Sequence, residues 1–574
     1  MERGSHVVVL LAFFAAVIFC SPVSFAAQGS SASPPPLRVV VVSGSNYEMG
    51  VQYGEQAADL IDLMRGEVWN ILDSQVLNSA GTGPLGRSVI LQDIQVWTYY
   101  LEKYDPKLKD WLLGISDGCA NKGIQVSYQD LVAIMVYPQE LWARPGAPYP
   151  AETGVTAFVP GRGSSLLAKG RTDTRPVSSC TSFAATGNAT GGVPMVSITG
   201  GATLDTPQYV IVVAFPTDGQ QFVSLAEAGR VAANFGANSQ FGWTMPAAVT
   251  TPWPAGGCPS SWGVTSEVYF HYLQQYCKSP QDAVNYLNNT PKGGVTGLFV
   301  FADNSGNVFI DECGSCGCVI RKPGETGENK AFVATTNDYN GPTMVGYNLG
   351  AAYFPDTFVR YATIFQELSS APAGTIGRDF AKAAWLSDNW YDATTNTWNT
   401  TSVPVADDPS NPYICNVPGN LCEGGEYEMI SFPAQKTVYL EYGDPQGTAT
   451  PYYWPSANYS LPSYMSPSAY NWPNAPTPTG EYTKWQLSDS PQDMANAASA
   501  YALEKIQAAQ QQCSSPKPST SCSLLSQANS AYQNGLTEQA TAQATSDINA
   551  QMALWGQAYT DYVTAQLYAQ MVSE

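Results

Sequence analysis

The chain has 574 residues, 44% of them apolar and 12% aromatic, which suits a large core and argues against a disordered chain. Only 13% are charged, 26 basic against 47 acidic for a net −21, so nucleic acid and anionic membrane surfaces are poor candidates for main partners. There are two histidines, His6 and His271, which leaves little room for imidazole chemistry.

Residues 1–27 read as a secretory signal: Arg3, an apolar run from Val7 to Phe19, then Ser24-Phe25-Ala26-Ala27 with small residues for cleavage. The run is too short to span a bilayer and no later stretch is long and apolar enough, so the expectation is a secreted or extracytoplasmic protein with no membrane span. Removal of the signal leaves His271, which sits in the helical pattern SEVYFHYLQQYC and reads as a helix-surface or half-buried residue. Residues 28–179 are helix-rich. A short strand, LRVVVVSG, precedes helical patterns at about 46–74, 91–114 and 127–142, the last opened by Ser127 and Asp130. A Gly/Pro/Ser/Thr-rich loop at about 144–179 has little periodicity and is the kind of stretch where a chain is cut.

Residues 180–445 change in texture. The runs TSFAATG, VPMVSITG, QYVIVVAFP, QFVSLAEAG and RVAANFG read as strands. Helices at about 264–276 and 280–289 follow, then a hairpin, GLFVFADNSGNVFIDEC, turning at Asn304–Asn307. The strand KAFVATTN ends at Asn337, helices fit about 355–369 and 376–387, and YEMISFP and KTVYLEYG are the last strands. Strands with helices before and after them indicate an α+β fold of stacked sheets flanked by helices. Residues 446–487 are rich in Pro and aromatics, which suits docking on a domain surface. Residues 488–574 read as a helical hairpin, 488–512 and 523–573, closed by Cys513–Cys522.

Without Cys20 the chain holds eleven cysteines, an odd number. In an oxidising compartment they pair, with Cys415–Cys422 and Cys513–Cys522 as local bridges and disulfides preferred over a metal site for Cys313, Cys316 and Cys318. At least one cysteine is left over. Cys180 begins the strand block directly after the weakly structured loop, so a cut before it makes it a new N-terminus. A terminal cysteine carries its own base, an α-amine with a pKa of about 8, and needs no histidine. Composition alone does not choose Cys180 over the other cysteines.

The segment GSNYEMGVQYGEQAADLI at 44–61 resembles the N-terminal signature of the acyl-coenzyme A:6-aminopenicillanic-acid acyltransferase family of N-terminal-nucleophile hydrolases, and CTSFAATGNATGG at 180–192 is similar to its nucleophile motif. VATTND at 333–338, FPDTFVRY at 354–361 and KTVYLEYGDP at 436–445 resemble later family segments in the same order. The resemblance implies a four-layer αββα fold, self-cleavage between Ser179 and Cys180, and α and β chains that stay associated. It implies attack by Cys180 on a small acylated amine or ester, without cofactor or metal. Cys180 would be nucleophile and, through its α-amine, base; Asn337 an oxyanion donor; Arg360 an orienting group for the site or for a substrate carboxylate. Thr181 and Asp205 are network candidates, and Asn234 and Asn238 candidate pocket-lining residues. Ser179 replaces the family's usual glycine, Thr199 and Gly200 stand where many relatives carry Ala-His-Asn, and Asp338 follows Asn337 in place of histidine. The rival expectations are a phospholipase B-like acyl-ester hydrolase of the same fold, and a non-catalytic secreted binding protein with Cys180 in a disulfide. Sequons at Asn188, Asn288, Asn399 and Asn458 mark glycan sites, and a glycan at Asn188 would crowd a nucleophile eight residues away.

Overall fold

The computed structural model describes residues 38–78, 83–142, 144, 147–156, 180–200, 209–248, 262–293, 297–314, 317–348, 357–385, 387, 389–399, 427–442, 483–487, 491–515 and 522–573. The signal segment, Cys316, the Cys415–Cys422 pair and most of the Pro/aromatic segment lie outside them. In chain order the elements are β1 (Arg38–Gly44), α1 (Asn46–Gln75), α2 (Arg87–Tyr104), α3 (Pro106–Asn121), α4 (Tyr128–Trp142), β2 (Cys180–Ala185), α5 (Gly187–Thr190), β3 (Met195–Gly200), β4 (Tyr209–Pro216), β5 (Phe222–Glu227), β6 (Phe235–Asn238) and β7 (Phe241–Thr244). Then come α6 (Ser266–Tyr276), α7 (Pro280–Asn289), β8 (Gly297–Asp303), β9 (Val308–Cys313), β10 (Cys318–Arg321), β11 (Phe332–Thr335), α8 (Thr357–Ser370), α9 (Arg378–Trp385), β12 (Trp390–Asp392), β13 (Thr397–Asn399), β14 (Tyr427–Phe432), β15 (Thr437–Tyr442), β16 (Thr483–Gln486), α10 (Pro491–Cys513), α11 (Leu524–Ala544) and α12 (Ile548–Ser573). The chain is mixed helix and sheet, and none of its described helices is long and apolar enough to cross a membrane.

Two sheets carry the core. The larger runs β1-β4-β5-β6-β7-β8-β9-β10 and the smaller β11-β2-β3-β14-β15-β16. Strand alternation sorts their side chains. Val40, Val42, Val210, Val212, Phe299 and Phe301 face α1–α4, α6 and α7, whereas Val39, Val41, Ile211, Val213 and Val300 face the other way, into a cluster shared by the smaller sheet and the C-terminal helices. That sheet meets them with Cys180, Ala184, Val196, Ile198 and Met429, and turns Phe183, Ala185, Met195 and Ile430 outward onto Ile364, Leu368 and Trp385 of α8 and α9. The described part of residues 28–179 is joined to the rest through β1, which lies parallel to β4 within the larger sheet.

Strand β1 is an edge, and edge backbone groups need partners. Gln56 supplies an amide that bonds both the N–H and the C=O of Val41 (3.2 and 2.9 Å), and Gln52 does the same for Ser43 (2.9 and 2.8 Å). Four residues of helix advance about 6 Å and two of strand about 6.6 Å, so an i,i+4 pair of glutamines tracks alternate strand residues. Thr560 of α12 donates to the next outward carbonyl, Val39 (3.0 Å).

Local hydrogen bonds at element boundaries explain three departures from the sequence pattern. The run at 91–114 is two helices, because Asp105 caps α3 through Leu108 N (3.1 Å) with Pro106 in its first turn. The final run at 523–573 is likewise two, broken where Asp547 accepts from Ala550 N (2.8 Å), so the C-terminal hairpin is a three-helix unit. The strand read in RVAANFG starts only at Phe235: Arg230 is turned back onto Glu227, its N bonded to the Glu227 carbonyl (2.9 Å). The Cys513–Cys522 disulfide forms as expected, and Cys313 pairs with Cys318.

The glycines of the 44–61 segment have a packing cause. Ser45 and Glu48 form a capping box at the start of α1. Gly50 and Gly54 then face Gly114 and Gly118 of α3, and a Cβ at any of the four would lie 2.2–2.3 Å from a carbonyl oxygen of the opposite helix. Gly66, on the same helix, has nothing within 4 Å. Gly114→Ala is therefore expected to cost roughly 3 kcal/mol of stability, by overpacking. Gly66→Ala should gain ~0.5–1 kcal/mol from helix propensity. Urea unfolding midpoints check both, and equal effects at the two positions would refute the close-contact account.

Candidate active site

Cys180 is the first residue of β2, and its side chain points into the space between the sheets. Its neighbour in the ladder is Gly200 on β3, and Gly200 in turn lies opposite Tyr427 on β14. A Cβ at Gly200 would sit 2.9 Å from Cys180 Sγ and 2.7 Å from the Tyr427 hydroxyl oxygen. The missing side chain is what lets these two groups approach across β3, to 3.6 Å. Asn234, just before β6, donates from Nδ2 to the Tyr427 hydroxyl (2.9 Å), and Phe235 stacks on the Tyr427 ring with 4.6 Å between centroids.

The backbone of Cys180 is held on both sides. Its N–H donates to Asn337 Oδ1 (3.1 Å), and its carbonyl accepts from Arg360 Nη1 (2.6 Å). Arg360 also reaches Thr181 Oγ1 (3.2 Å) through Nη1 and Asn337 Oδ1 (2.8 Å) through Nη2. Asn337 follows β11, beside β2, and donates from Nδ2 to the Ala247 carbonyl (2.8 Å). Its backbone N–H donates to Thr357 Oγ1 (3.1 Å), and Thr357 begins α8 three residues before Arg360. One turn of α8 thus fixes Asn337 twice, and Asn337 fixes Cys180. Cys180, Thr181, Asn337, Thr357 and Arg360 are all buried. The orientation of the Asn337 amide follows from its partners, because an arginine can only donate and a carbonyl can only accept.

The structure brings Cys180, Thr181, Asn234, Asn337 and Arg360 together. Arg360 is buried and bonded to Cys180, Thr181 and Asn337, an arrangement that suits the expected orienting role toward the site. Asn337 commits Oδ1 to Cys180 and Arg360 and one amide hydrogen to Ala247, and an amide nitrogen has a second hydrogen for another acceptor. The hydroxyl of Thr181 is on the Arg360 side of β2, away from Sγ, as strand alternation requires.

Asn238 does not line this site. Its Nδ2 donates to the carbonyls of Gln274 and Cys277 (both 3.1 Å) and its Oδ1 accepts from Gln240 N and Phe241 N (2.8 and 3.0 Å). It closes the end of α6 and the β6–β7 turn, and that work uses its whole amide. Ser179 and Asp205 lie outside the described residues. Asn188 is exposed beyond the far end of β2, about 20 Å along the strand from Cys180 at roughly 3.3 Å per residue, so a glycan there would be clear of Cys180. Tyr427 and Gly200 were not anticipated. One of 33 tyrosines carries no signal, but a glycine ending a buried strand marks a close approach.

Among the described residues, the other thiols and the histidine are elsewhere. Cys119 and Cys277 are buried thiols in the helix layer; burial pushes Cys119 up to about 12 and raises Cys277 as well. Neither can supply a thiolate readily. His271 is fully buried, not half-exposed, with Nδ1 on Asp105 Oδ2 (2.5 Å) and Nε2 on Gln275 Oε1 (3.0 Å); it ties α6 to the cap of α3. No protein-family model matches the chain, and no curated protein matches it.

Several buried carboxyl groups outside the site share a direction. Burial raises Asp311 to about 7 despite Lys292, and raises Asp561 to about 6. Burial and the neighbouring Asp93 hold Glu140 well above the usual range, and burial raises Glu267. These groups keep protons in the folded state that the unfolded chain releases near pH 4, so their contribution is full below about pH 4 and is lost as pH rises through their folded values. Thermal stability is expected to fall between about pH 5 and about pH 8, with a shallower fall in Asp311→Asn. A melting temperature that rises across that window would contradict the assignment.

Proposed function

We propose that this protein is a secreted, self-processed cysteine N-terminal-nucleophile hydrolase that cleaves a linear amide of a small acylated amine through a thioester on Cys180, as the likeness to the acyltransferase family implies. The observation that carries this reading is the treatment of Cys180: its sulfur is a thiol set between the sheets, and both polar groups of its backbone are held by Asn337 and Arg360. The order helix, sheet, sheet, helix supports it, being the order that the family implies. The rival binding reading, with the aromatic tail holding a ligand and Cys180 in a disulfide, has less support, since Cys180 is a thiol.

The chemistry balances without histidine. After cleavage before Cys180 its nitrogen is an α-amine, with Asn337 Oδ1 as acceptor for one of its hydrogens. The amine takes the thiol proton, Sγ bonds the substrate carbonyl carbon, and the carbonyl oxygen becomes an anion stabilised by amide donors such as Asn337 Nδ2. Collapse breaks the C–N bond, and the α-ammonium returns the proton to the leaving nitrogen. Water, deprotonated by the same amine, then attacks the thioester, the C–S bond breaks, and the thiol is restored. Arg360 touches no reacting atom; it positions Cys180 and Asn337. The two chains formed by the cut would stay together, since β1, α1 and the helix layer remain packed into the larger sheet. Disulfides fit an oxidising compartment.

N-terminal sequencing and intact mass of the purified protein are expected to give a fragment of 395 residues, 180–574, beginning Cys-Thr-Ser-Phe. Its mass should be roughly 43 kDa at ~110 Da per residue. It should co-purify with the smaller chain. Cys180→Ala should stay as one chain and be inactive. A wild-type chain that matures uncut, or normal cleavage of Cys180→Ala, would overturn the reading.

A further inference from the structure

The steps above leave Tyr427 without a task, yet four features converge on its hydroxyl. It lies 3.6 Å from Cys180 Sγ, it accepts from Asn234 Nδ2 at 2.9 Å, its ring is fixed by stacking on Phe235, and Gly200 leaves the gap through which it reaches the sulfur. A hydroxyl can accept an amide hydrogen and donate its own hydrogen at the same time, and a thiolate can only accept. We propose that Tyr427, oriented by Asn234, donates its hydroxyl hydrogen to Cys180 Sγ and stabilises the thiolate that attacks the substrate. No proton is transferred in this contact; the thiol proton still leaves to the α-amine, and the tyrosine stays neutral. The inference rests on reading Cys180 as the nucleophile. It makes Tyr427 a catalytic residue, in contact with the reacting atom, and Asn234 a positioning residue that acts through it.

Other charged groups occur on the elements around Cys180. Arg360 of α8 is on the Cys180 carbonyl, Glu312 of β9 is paired with Arg321, Asp303 of β8 is bonded within its own turn, and Asp338 and Glu428 are buried near the ends of β11 and β14. Tyr427→Phe removes one oxygen atom, keeps the ring on Phe235 and leaves all of these groups in place. A change in the thiol's titration is then assigned to the hydroxyl.

The test is a pH titration of ultraviolet thiolate absorbance on the full mature chain, read as the difference between each protein and the same protein carrying Cys180→Ser. The Cys180 midpoint is expected to rise by about one unit in Tyr427→Phe, the scale of a lost hydrogen bond to a charged group, and by less in Asn234→Ala. Iodoacetamide labelling of Cys119 and Cys277 reports whether each variant is folded, since both are buried in the native protein. An unmoved or lowered midpoint in folded Tyr427→Phe overturns the proposal. If that variant exposes Cys119 and Cys277, Asn234→Ala decides alone, and an unmoved midpoint there overturns the proposal equally. The readout does not depend on cleavage, so an uncut wild-type chain would sink the self-processing reading while the midpoint still judged Tyr427.

Discussion

The site depends on one arrangement: a guanidinium buried beneath the first residue of a central strand, with an asparagine as its second anchor. Burying a cation is costly unless its donors are used, and Arg360 spends them on the Cys180 carbonyl, Thr181 Oγ1 and Asn337 Oδ1. That requirement ties three separate chain segments together. The start of β2, the end of β11 and the first turn of α8 are brought to one point because each supplies a group that the others leave unsatisfied. The clamp fixes the backbone from which Sγ projects, and the Tyr427 hydroxyl meets the sulfur from across β3.

Glycines set the tolerances around the clamp in two different ways. At Gly50, Gly54, Gly114 and Gly118 the absent side chains let two helix backbones touch, and the effect is architectural. At Gly200 the absent side chain opens a passage between Cys180 and Tyr427, and the effect is local to the chemistry. Sequence texture makes the first kind easier to notice, since the spacing repeats every four residues. The single glycine that shapes the candidate site has no such rhythm.

Much of the fold was legible because hydrophobic period is a local property. The strands in TSFAATG, VPMVSITG and QYVIVVAFP were read from apolar runs punctuated by glycine and the helix at about 46–74 from its helical pattern, and they fall on β2, β3, β4 and α1. The errors cluster where a short polar signal interrupts a long periodic run: Asp105-Pro106 between α2 and α3, and Asp547 between α11 and α12. At the site, the likeness to a family pointed at Cys180, Asn337 and Arg360, and these are neighbours in space. It could not say which face of an amide or which end of a guanidinium meets which atom. The direction of each hydrogen bond is a property of the packed site. Asn238 shows the limit from the other side, since Asn234 and Asn238 look alike in sequence. Only the fold sends one to Tyr427 and the other to the end of α6.

The placement of β1 bears on what a cut before Cys180 would change. This strand belongs to the segment ahead of the cut, yet it is hydrogen-bonded to β4 along its length and closed on its outer edge by Gln52, Gln56 and Thr560. Thr560 lies in the last helix of the chain, so the two pieces hold one another from both sides of the strand. The acceptor for the Cys180 nitrogen is Asn337 Oδ1, which does not depend on what precedes Cys180 in the chain. A new terminus could therefore appear without rebuilding the sheets or the clamp, and the base it liberates would already have its neighbour in place. Preorganisation of this kind is what a nucleophile lacking a histidine needs, because its base and its sulfur sit on the same residue and only the surrounding groups can fix their mutual geometry.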